Sequence, residues 1–346
     1  MSPVNAVEAL TDESLVTLAS RLAERAGRGR VRTLSRLAGG KNNQVYRVET
    51  AAGQLAVLKR YFTDPRDPRD RLRAEWEFLQ HAWSRGIRAI PEPLACDPAA
   101  HAGLYGFIEG RKLLATELQP AHIGAAIDFV LAVNAPPRAP LAPGSEACFT
   151  LAEHIATVER RIARLAALDA GAPHAKEAQT FVSKHLVPAW TTVKLKLAAD
   201  AHAAGIPMEN ALGPHDRCLS PSDFGFHNAL IDEAGRVTFL DFEYAGSDDP
   251  AKLVSDFFCQ PDVPVPLDYQ AAFIARIAEG FGLDERGRVR CRMLLDAYRI
   301  KWSCIILNDF LPLGAARRAF ADEGSRAARC AAQLAKAQTM LAGLKA

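Results

Sequence analysis

Three oxygen-bearing side chains stand out because they lie in two short polar segments joined by a predicted hairpin. Asp223 and Asn228 are five residues apart in the sequence SPSDFGFHN, and Asp241 follows thirteen residues after Asn228, at the end of an apolar strand. Amide and carboxylate oxygens are hard ligands that suit Mg²⁺, and Asp223 can orient a hydroxyl group and accept its proton. The alternative is an acidic surface hairpin, since Asp and Asn are ordinary turn residues.

A second group of residues, earlier in the chain, has the properties needed to bind phosphate. The turn GGKNN (residues 39–43) joins two predicted strands, Lys59 follows the apolar segment LAVL, and Glu75 lies on the next predicted helix. Phosphoryl transfer depends on positioning and charge neutralisation more than on covalent help. Taken alone, Lys59 could be a solvated strand end and Glu75 a surface residue. Their order ahead of the Asp–Asn–Asp group is what favours phosphoryl transfer.

Together these motifs resemble those of the aminoglycoside phosphotransferase/choline kinase family, small-molecule kinases with a protein-kinase-like fold. The resemblance runs from about Val31 to Phe258. It implies that ATP or GTP and Mg²⁺ are the cofactors. It also implies that Asp223 is the catalytic residue and that Asn228 and Asp241 are the metal ligands.

The resemblance further implies a nucleotide site in the first 110 residues. The glycine turn would cover the phosphates, Lys59 would contact them with Glu75 or its neighbour Glu77 as ion-pair partner, and the segment YGFIEG would form the hinge beside adenine. The residues assigned in this way to nucleotide binding are Gly39, Gly40, Asn42, Asn43, Lys59, Glu75, Phe107, Ile108 and Glu109.

The chain departs from the family pattern at two places. Pro221 and Ser222 stand where the family has His and Gly ahead of the catalytic Asp, which puts the geometry of this loop in question. Leu253 stands where the family has an Asp. Asp256 lies three residues further along the same helical face and could replace it.

Charged residues of the second half of the chain are candidate contacts for the acceptor. An acidic pocket would suit a cationic amino sugar or amino alcohol, although the sequence has no concentrated acidic run. His227 fits packing of the loop better than metal binding, because no second His or Cys stands at ligand spacing. The candidate acceptor contacts are Glu243, Asp248, Asp249, Asp256, Arg299 and Asp309.

The predicted elements place these groups in two lobes. Apolar periodicity in the first 110 residues predicts two helices, at 11–26 and 69–85, and five strands, at 33–38, 44–49, 54–59, 93–96 and 104–108. Beyond them the pattern predicts one hairpin, at 230–240, and helices at 123–133, 151–168, 175–203, 250–260, 267–280, 286–307 and 315–341. We therefore predict a bilobal α+β fold of the protein-kinase type. It would have an N-terminal helix (1–30), a small β-rich N-lobe that binds the nucleotide (31–110) and a larger, mostly helical C-lobe (111–346).

Composition narrows the class of protein. The chain has 346 residues, of which 49% are hydrophobic and 24% charged, as in globular proteins. Its net charge of +2 is too weak to suggest nucleic acid or a membrane surface as the partner. Seven scattered cysteines without a C-x-x-C pair favour a reducing compartment, and no apolar run approaches the ~20 residues of a membrane span. We therefore predict a cytoplasmic monomer or homodimer.

The predicted function is ATP-dependent transfer of the γ-phosphoryl group to a hydroxyl of a small molecule, with an aminoglycoside-, amino-alcohol- or sugar-like acceptor. The alternative is a nucleotide-binding pseudokinase or regulatory module without turnover, because Pro221 replaces the loop His. A kinase that acts on proteins is disfavoured, since no obvious activation segment separates Asp241 from Asp249.

Overall fold

The structure, a computed structural model, describes residues 12–37, 43–312 and 325–344. The predicted phosphate-covering residues Gly39, Gly40 and Asn42 lie outside these ranges, so their role stays a prediction. Within the described ranges, no helix combines the length and the apolar character needed to cross a membrane.

An antiparallel sheet forms the N-terminal lobe, as the patterning predicted. Its strands are β1 (Val31–Arg36), β2 (Gln44–Thr50), β3 (Leu55–Arg60), β4 (Pro93–Asp97) and β5 (Ala102–Gly106). They lie in the order β1-β2-β3-β5-β4, and each neighbouring pair is antiparallel. The strand β5 ends two residues earlier than predicted, so the first two residues of the predicted hinge lie in the sheet and the next four lie outside it.

Two helices, α1 (Asp12–Arg25) and α2 (Arg71–Ser84), cover the faces of this sheet. The helix α1 buries Leu22 in one apolar cluster with Leu58 of β3. Because successive side chains of a strand point to opposite faces, the next residue, Lys59, points away from α1 and toward α2 and the C-lobe. The strand alternation therefore aims the lysine at the space between the lobes.

Helices make up most of the C-lobe, and each described helix overlaps a predicted one. The helix α10 is almost entirely buried and forms its centre. The bounds are α3 (Pro120–Asn134), α4 (Leu151–Arg164), α5 (Ala175–Phe181), α6 (Val187–Ala203), α7 (Pro250–Cys259), α8 (Gln270–Phe281), α9 (Glu285–Met293), α10 (Leu295–Ile306) and α11 (Arg326–Ala342).

Two of the predicted helices are interrupted. The helix predicted at 286–307 is divided at Leu294 into α9 and α10. The helix predicted at 175–203 contains a π-helical turn, Val182–Leu186, between α5 and α6. This turn lies just before Pro188, which has no backbone N–H to donate to the preceding turn, so the helix widens there instead of breaking.

Two small sheets carry the polar segments of the C-lobe. The first contains β6 (Arg111–Lys112), β8 (Ala229–Ile231) and β9 (Val237–Phe239), and the second pairs β7 (Cys218–Ser220) with β10 (Gly246–Asp248). The predicted hairpin corresponds to β8 and β9. The other three strands were not predicted, because runs of two or three residues show no alternation of polarity.

Candidate active site

Lys59 is the centre of an ion-pair network that joins the two lobes. Its Nζ lies 2.6 Å from Oε2 of Glu75 on α2 and 2.5 Å from Oδ1 of Asp241 in the C-lobe. Burial opposes the ammonium form, but Asp241 and Glu75 outweigh it and hold the pKa of Lys59 above its usual value. The side chain is therefore a fixed cation at physiological pH.

Glu75, and not its neighbour Glu77, is the helix partner of Lys59. Glu75 is buried and also accepts a hydrogen bond from the Tyr61 hydroxyl at 2.7 Å, whereas Glu77 pairs with an arginine of its own helix at 2.8 Å. Burial and the charge of Glu75 raise the pKa of Tyr61, so this hydroxyl stays a neutral donor. Sequence reasoning missed Tyr61, although its position two residues after Lys59, near the end of β3, was a usable signal.

The loop between β7 and β8 holds Asp223 at the cleft. Phe224 and Phe226, on either side of Gly225, are buried, and their rings pack against Phe239 with centroids 4.9 and 6.3 Å apart. This aromatic packing fixes the loop to the core of the C-lobe. About 30% of the Asp223 side chain stays exposed to the cleft.

Polar contacts orient Asp223 within this loop. His227 Nε2 lies 3.1 Å from Asp223 Oδ1, and Asn228 Nδ2 donates to the Asp223 carbonyl at 3.0 Å. The sequence did not reveal the His227 contact, since a spacing of four residues predicts proximity on a helix and this segment is a loop. Ser222 has a φ of 67°, a left-handed conformation that glycine adopts without strain. That conformation explains why glycine suits this position in the family whose motifs this sequence resembles.

Asp241 lies two residues after the end of β9, and the residue between them, Leu240, forms a backbone hydrogen bond with Asn228. The amide of Leu240 donates to the carbonyl of Asn228 at 2.7 Å, which ties together the two loops that carry these side chains. Asp241 itself has a φ of 67°. A strained backbone of this kind costs about 1–3 kcal/mol and clusters at functional sites.

Glu243 and Asn43 have structural partners that the sequence did not reveal. The Asn43 amide donates to Glu243 Oε2 at 2.6 Å and accepts from the backbone amide of Phe62 at 3.1 Å. Both residues are buried, and Arg71 approaches Glu243 at 3.8 Å. The hydrogen bond between these two side chains connects the segment after Asp241 with the N-lobe. Both residues also line the cleft, so the contacts of Asn43 with phosphate and of Glu243 with the acceptor stay predictions.

Three of the candidate acceptor contacts form internal ion pairs and do not line the cleft. They are Asp248, Asp249 and Arg299, and an acceptor contact is not supported for any of them. Their respective partners are Lys252 at 2.7 Å, Arg290 at 2.6 Å and Asp296 at 3.1 Å. Asp256 and Asp309 do line the cleft.

A cleft of about 1600 Å³ separates the lobes and contains the residues just described. The end of the cleft near the predicted hinge is apolar, which suits a flat, hydrophobic part of a ligand. The predicted hinge residues Phe107 and Ile108 line this end, whereas Glu109 is exposed and does not. The apolar lining consists of Leu37, Val45, Val57, Phe107, Ile108, Leu230 and Leu240.

Comparison with known proteins decides the family. The model of the phosphotransferase enzyme family matches residues 33–294, a span that includes almost all of the N-lobe sheet, the C-lobe as far as α9 and every group of the network around Lys59. The chain belongs to the phosphotransferase enzyme family. The predicted family, the protein-kinase-like fold and the small-molecule phosphotransferase activity are thereby confirmed. No curated protein matches the sequence closely enough to count as a relative.

Solved structures of other kinases are similar to this phosphotransferase in fold. The ethanolamine kinase of Plasmodium vivax has a TM-score of 0.58 at 12% identity, over 94% of this chain and 89% of that chain. A choline kinase from Streptococcus pneumoniae has a TM-score of 0.58 at 14% identity, over 95% and 100%. A spectinomycin phosphotransferase has a TM-score of 0.58 at 12% identity, over 94% and 99%.

Asn228 and Asp241 are the side chains of this phosphotransferase that could hold a divalent cation. The side-chain N–H of Asn228 donates to the carbonyl of Asp223, so the amide oxygen of Asn228 can act as a metal ligand. Asp241 adds a carboxylate beside Lys59. These hard donors fit Mg²⁺. Among the described residues, no group of three His, Cys, Asp or Glu side chains could hold a metal. Further ligands would have to come from a nucleotide and water.

Proposed function

We propose that this phosphotransferase moves the γ-phosphoryl group of ATP to a hydroxyl group of a small molecule, with Mg²⁺ as cofactor. The observation that carries the proposal is the position of Lys59 between Glu75 and Asp241. It brings a fixed cation and a hard oxygen ligand to one point between the lobes, as the phosphates of a nucleoside triphosphate require. The apolar end of the cleft would take the base.

Each side chain of the network then has a specific task. Lys59, held by Glu75, binds the phosphates, while Asn228 and Asp241 hold Mg²⁺, which neutralises phosphate charge when bound. Asp223 orients the acceptor hydroxyl and takes its proton as the hydroxyl oxygen attacks the γ-phosphorus. The bond between that phosphorus and the β–γ bridging oxygen breaks, and ADP leaves.

The replacement of the family His by Pro221 does not leave Asp223 unsupported. His227 contacts the Asp223 carboxylate from the other side of the loop at 3.1 Å. This contact favours an active enzyme over a pseudokinase. The similar structures are those of an ethanolamine kinase, a choline kinase and a spectinomycin phosphotransferase, which supports an alcohol acceptor.

We also propose that the enzyme works in the cytoplasm, as a monomer or homodimer. All seven cysteines are free thiols and six of them are buried. Free thiols persist in reducing compartments.

A screen of ATP consumption tests the proposed function. ADP release is measured with aminoglycosides, choline, ethanolamine, homoserine and sugars, for the wild type and for Lys59→Met. We expect at least one acceptor to raise ADP release above the rate with water, and we expect Lys59→Met to abolish that increase. If the wild type binds the analogue AMP-PNP but does not release ADP even with water as acceptor, the result favours the pseudokinase alternative.

A further inference from the structure

The acceptor side of the cleft carries a cluster of buried positive charges. Lys252 and Lys301 both line the cleft and both are buried. They flank Asp256, whose carboxylate is 3.3 Å from Lys252 Nζ and 2.6 Å from Lys301 Nζ. Asp256 also accepts a hydrogen bond from the indole N–H of Trp302 at 2.8 Å. Two ammonium groups therefore share one carboxylate at this wall.

On the same wall, two arginines at the C-terminal end of α4 likewise share one carboxylate, that of Glu146. Arg161 Nε donates to Glu146 at 2.9 Å, and Arg164 approaches the same carboxylate at 3.9 Å. Burial favours the neutral acid, but Arg161 and Lys301 outweigh it and lower the pKa of Glu146 to about 2. Because Arg161 and Lys301 both lower the pKa of Glu146, the two cations belong to one electrostatic cluster.

Positive charge is in excess within this cluster. Among the described residues, its four cations are paired with Glu146, Asp256 and, through Lys252, Asp248. Burial, together with the positive charges of Lys252 and Arg161, outweighs Asp256 and lowers the pKa of Lys301. Burial is the largest of these causes, and an anion bound beside Lys301 would favour its charged form.

Two further carboxylates line this wall, those of Asp262 and Asp309. Asp262 pairs with Lys336 at 2.7 Å. Burial and, after it, the negative charge of Asp309 raise the pKa of the Cys330 thiol on α11. Neither Asp262 nor Asp309 is among the charges that act most strongly on Lys301, which are Asp256, Lys252, Arg161 and Glu146.

The cluster adjoins the residue that would accept the hydroxyl proton. Lys252 Nζ lies 3.5 Å from the hydroxyl of Ser222, and Ser222 directly precedes Asp223. An acceptor whose hydroxyl contacts Asp223 would therefore lie with its remaining groups against Lys252, Lys301 and Arg161.

We propose that the acceptor is an alcohol that carries an anionic group, a carboxylate or a phosphate, bound by Lys301 and Arg161 while its hydroxyl contacts Asp223. This inference rests on the proposed function and reverses the sequence-based expectation of a cationic acceptor. Ammonium and guanidinium groups form strong charge-assisted hydrogen bonds with carboxylate and phosphate oxygens. An ammonium group at the same place would face Lys301 and Lys252.

Three polyols that differ at a single carbon test whether the cluster binds a negative, neutral or positive group of the acceptor. D-gluconate carries a carboxylate there, D-glucitol an alcohol and 1-amino-1-deoxy-D-glucitol an ammonium group. In calorimetric titrations of the full chain with ADP and Mg²⁺, we expect gluconate to bind about tenfold more tightly than the amine. D-glucitol 6-phosphate is titrated in the same way. Comparison of its affinity with that of gluconate shows whether the site prefers a phosphate or a carboxylate. Tighter binding of the amine, or no binding of either anion, would overturn the proposal.

Variants of the cluster test its location. We expect Lys301→Met to weaken gluconate binding about tenfold, and Arg164→Gln to weaken it about threefold. The Arg164 side chain is 60% exposed, so this second variant does not endanger folding. Lys194→Met, on the exposed surface of α6, is the control that leaves gluconate affinity unchanged. Unchanged affinity in Arg164→Gln and in a folded Lys301→Met would place the anion elsewhere and overturn the proposal.

A titration with AMP-PNP separates failure of this inference from failure of the proposed function. If the wild type binds AMP-PNP and prefers the amine, only the inference about the anion is wrong. If the wild type does not bind AMP-PNP, the proposed function fails, whichever polyol it prefers.

Discussion

Lys59 donates to Asp241 at 2.5 Å, although the two residues are 182 positions apart in the chain. The contact connects strand β3 of the N-lobe with the segment that follows β9 in the C-lobe. Because Glu75 binds the same ammonium group, the lysine is already directed into the cleft by two carboxylates. Nucleotide phosphates would therefore meet a cation whose position is fixed before they bind.

Glu75 can be tested against Glu77, its neighbour on α2. Glu75→Gln removes one of the two carboxylates that orient Lys59, so we expect the Kd for AMP-PNP with Mg²⁺ to rise about tenfold. Glu77→Gln is the matched control, because Glu77 pairs only with Arg73 among the ion pairs of the described residues, and its Kd should stay close to that of the wild type. Isothermal titration measures both values. Equal effects in the two variants would contradict the assignment of Glu75.

His227 should affect turnover more than nucleotide binding, because its contact is with Asp223. We expect His227→Ala to lower kcat for ADP release about tenfold, with the Kd for AMP-PNP nearly unchanged. His227→Gln retains a side-chain N–H that can reach the Asp223 carboxylate and should recover part of the rate. A parallel loss of nucleotide affinity and kcat would instead show that His227 only maintains the fold of the loop.

The parts of the site that lie close together in sequence could be predicted. Asp223 and Asn228 share one loop, and Asp241 follows the second strand of the hairpin, so their proximity follows from a single hairpin. The sequence placed Lys59 at the end of an apolar strand, but no local pattern predicts its contact with Asp241, and its phosphate-binding role came only through the resemblance to a family. The family model and the fold confirm that resemblance.

The charged residues of the C-lobe were harder to interpret from sequence. Asp249 was predicted to contact the acceptor, but it is buried with Arg290 and His154, partners that are far away in the chain. Lys252 was overlooked, although its spacing of four residues from both Asp248 and Asp256 was a usable signal for ion pairs near a helix. The neighbour of Lys301 in the cluster, Arg161, is on a different helix, and no local pattern predicts that contact.

Stability should depend on pH through the buried His154. Its ring nitrogens contact Asp249 at 3.0 Å and the Tyr298 hydroxyl at 2.7 Å. Burial disfavours the imidazolium, but the hydrogen bond to Asp249 outweighs it and raises the pKa of His154 to about 9. A raised pKa in the folded state stabilises the fold below the unfolded value of about 6.5, and this stabilisation is lost as the pH rises through about 9.

We therefore expect the free energy of unfolding to fall by about 3 kcal/mol between pH 6.5 and 9. Urea titrations at a series of pH values measure this slope. His154→Gln cannot gain a proton and should flatten it. A wild-type profile that is level over this range would contradict the charged His154–Asp249 pair.

Removal of Mg²⁺ tests the assignment of Asp241 as a metal ligand. We expect EDTA to weaken AMP-PNP binding by the wild type about tenfold, and we expect Asp241→Asn to make the affinity nearly independent of Mg²⁺. Asp232→Asn is the matched control, because Asp232 lies in the turn of the same hairpin and pairs with Arg236 at 2.8 Å. If Asp241→Asn responds to EDTA as strongly as this control, another residue holds the metal.

The role of Asp223 as the residue that accepts the hydroxyl proton is tested most directly by comparing turnover and binding in Asp223→Asn. ADP release with water as acceptor can be measured before the natural acceptor is identified. We predict that kcat falls at least about a hundredfold while the Kd for AMP-PNP stays close to that of the wild type. Turnover of Asp223→Asn at the wild-type rate would contradict the proposed reaction.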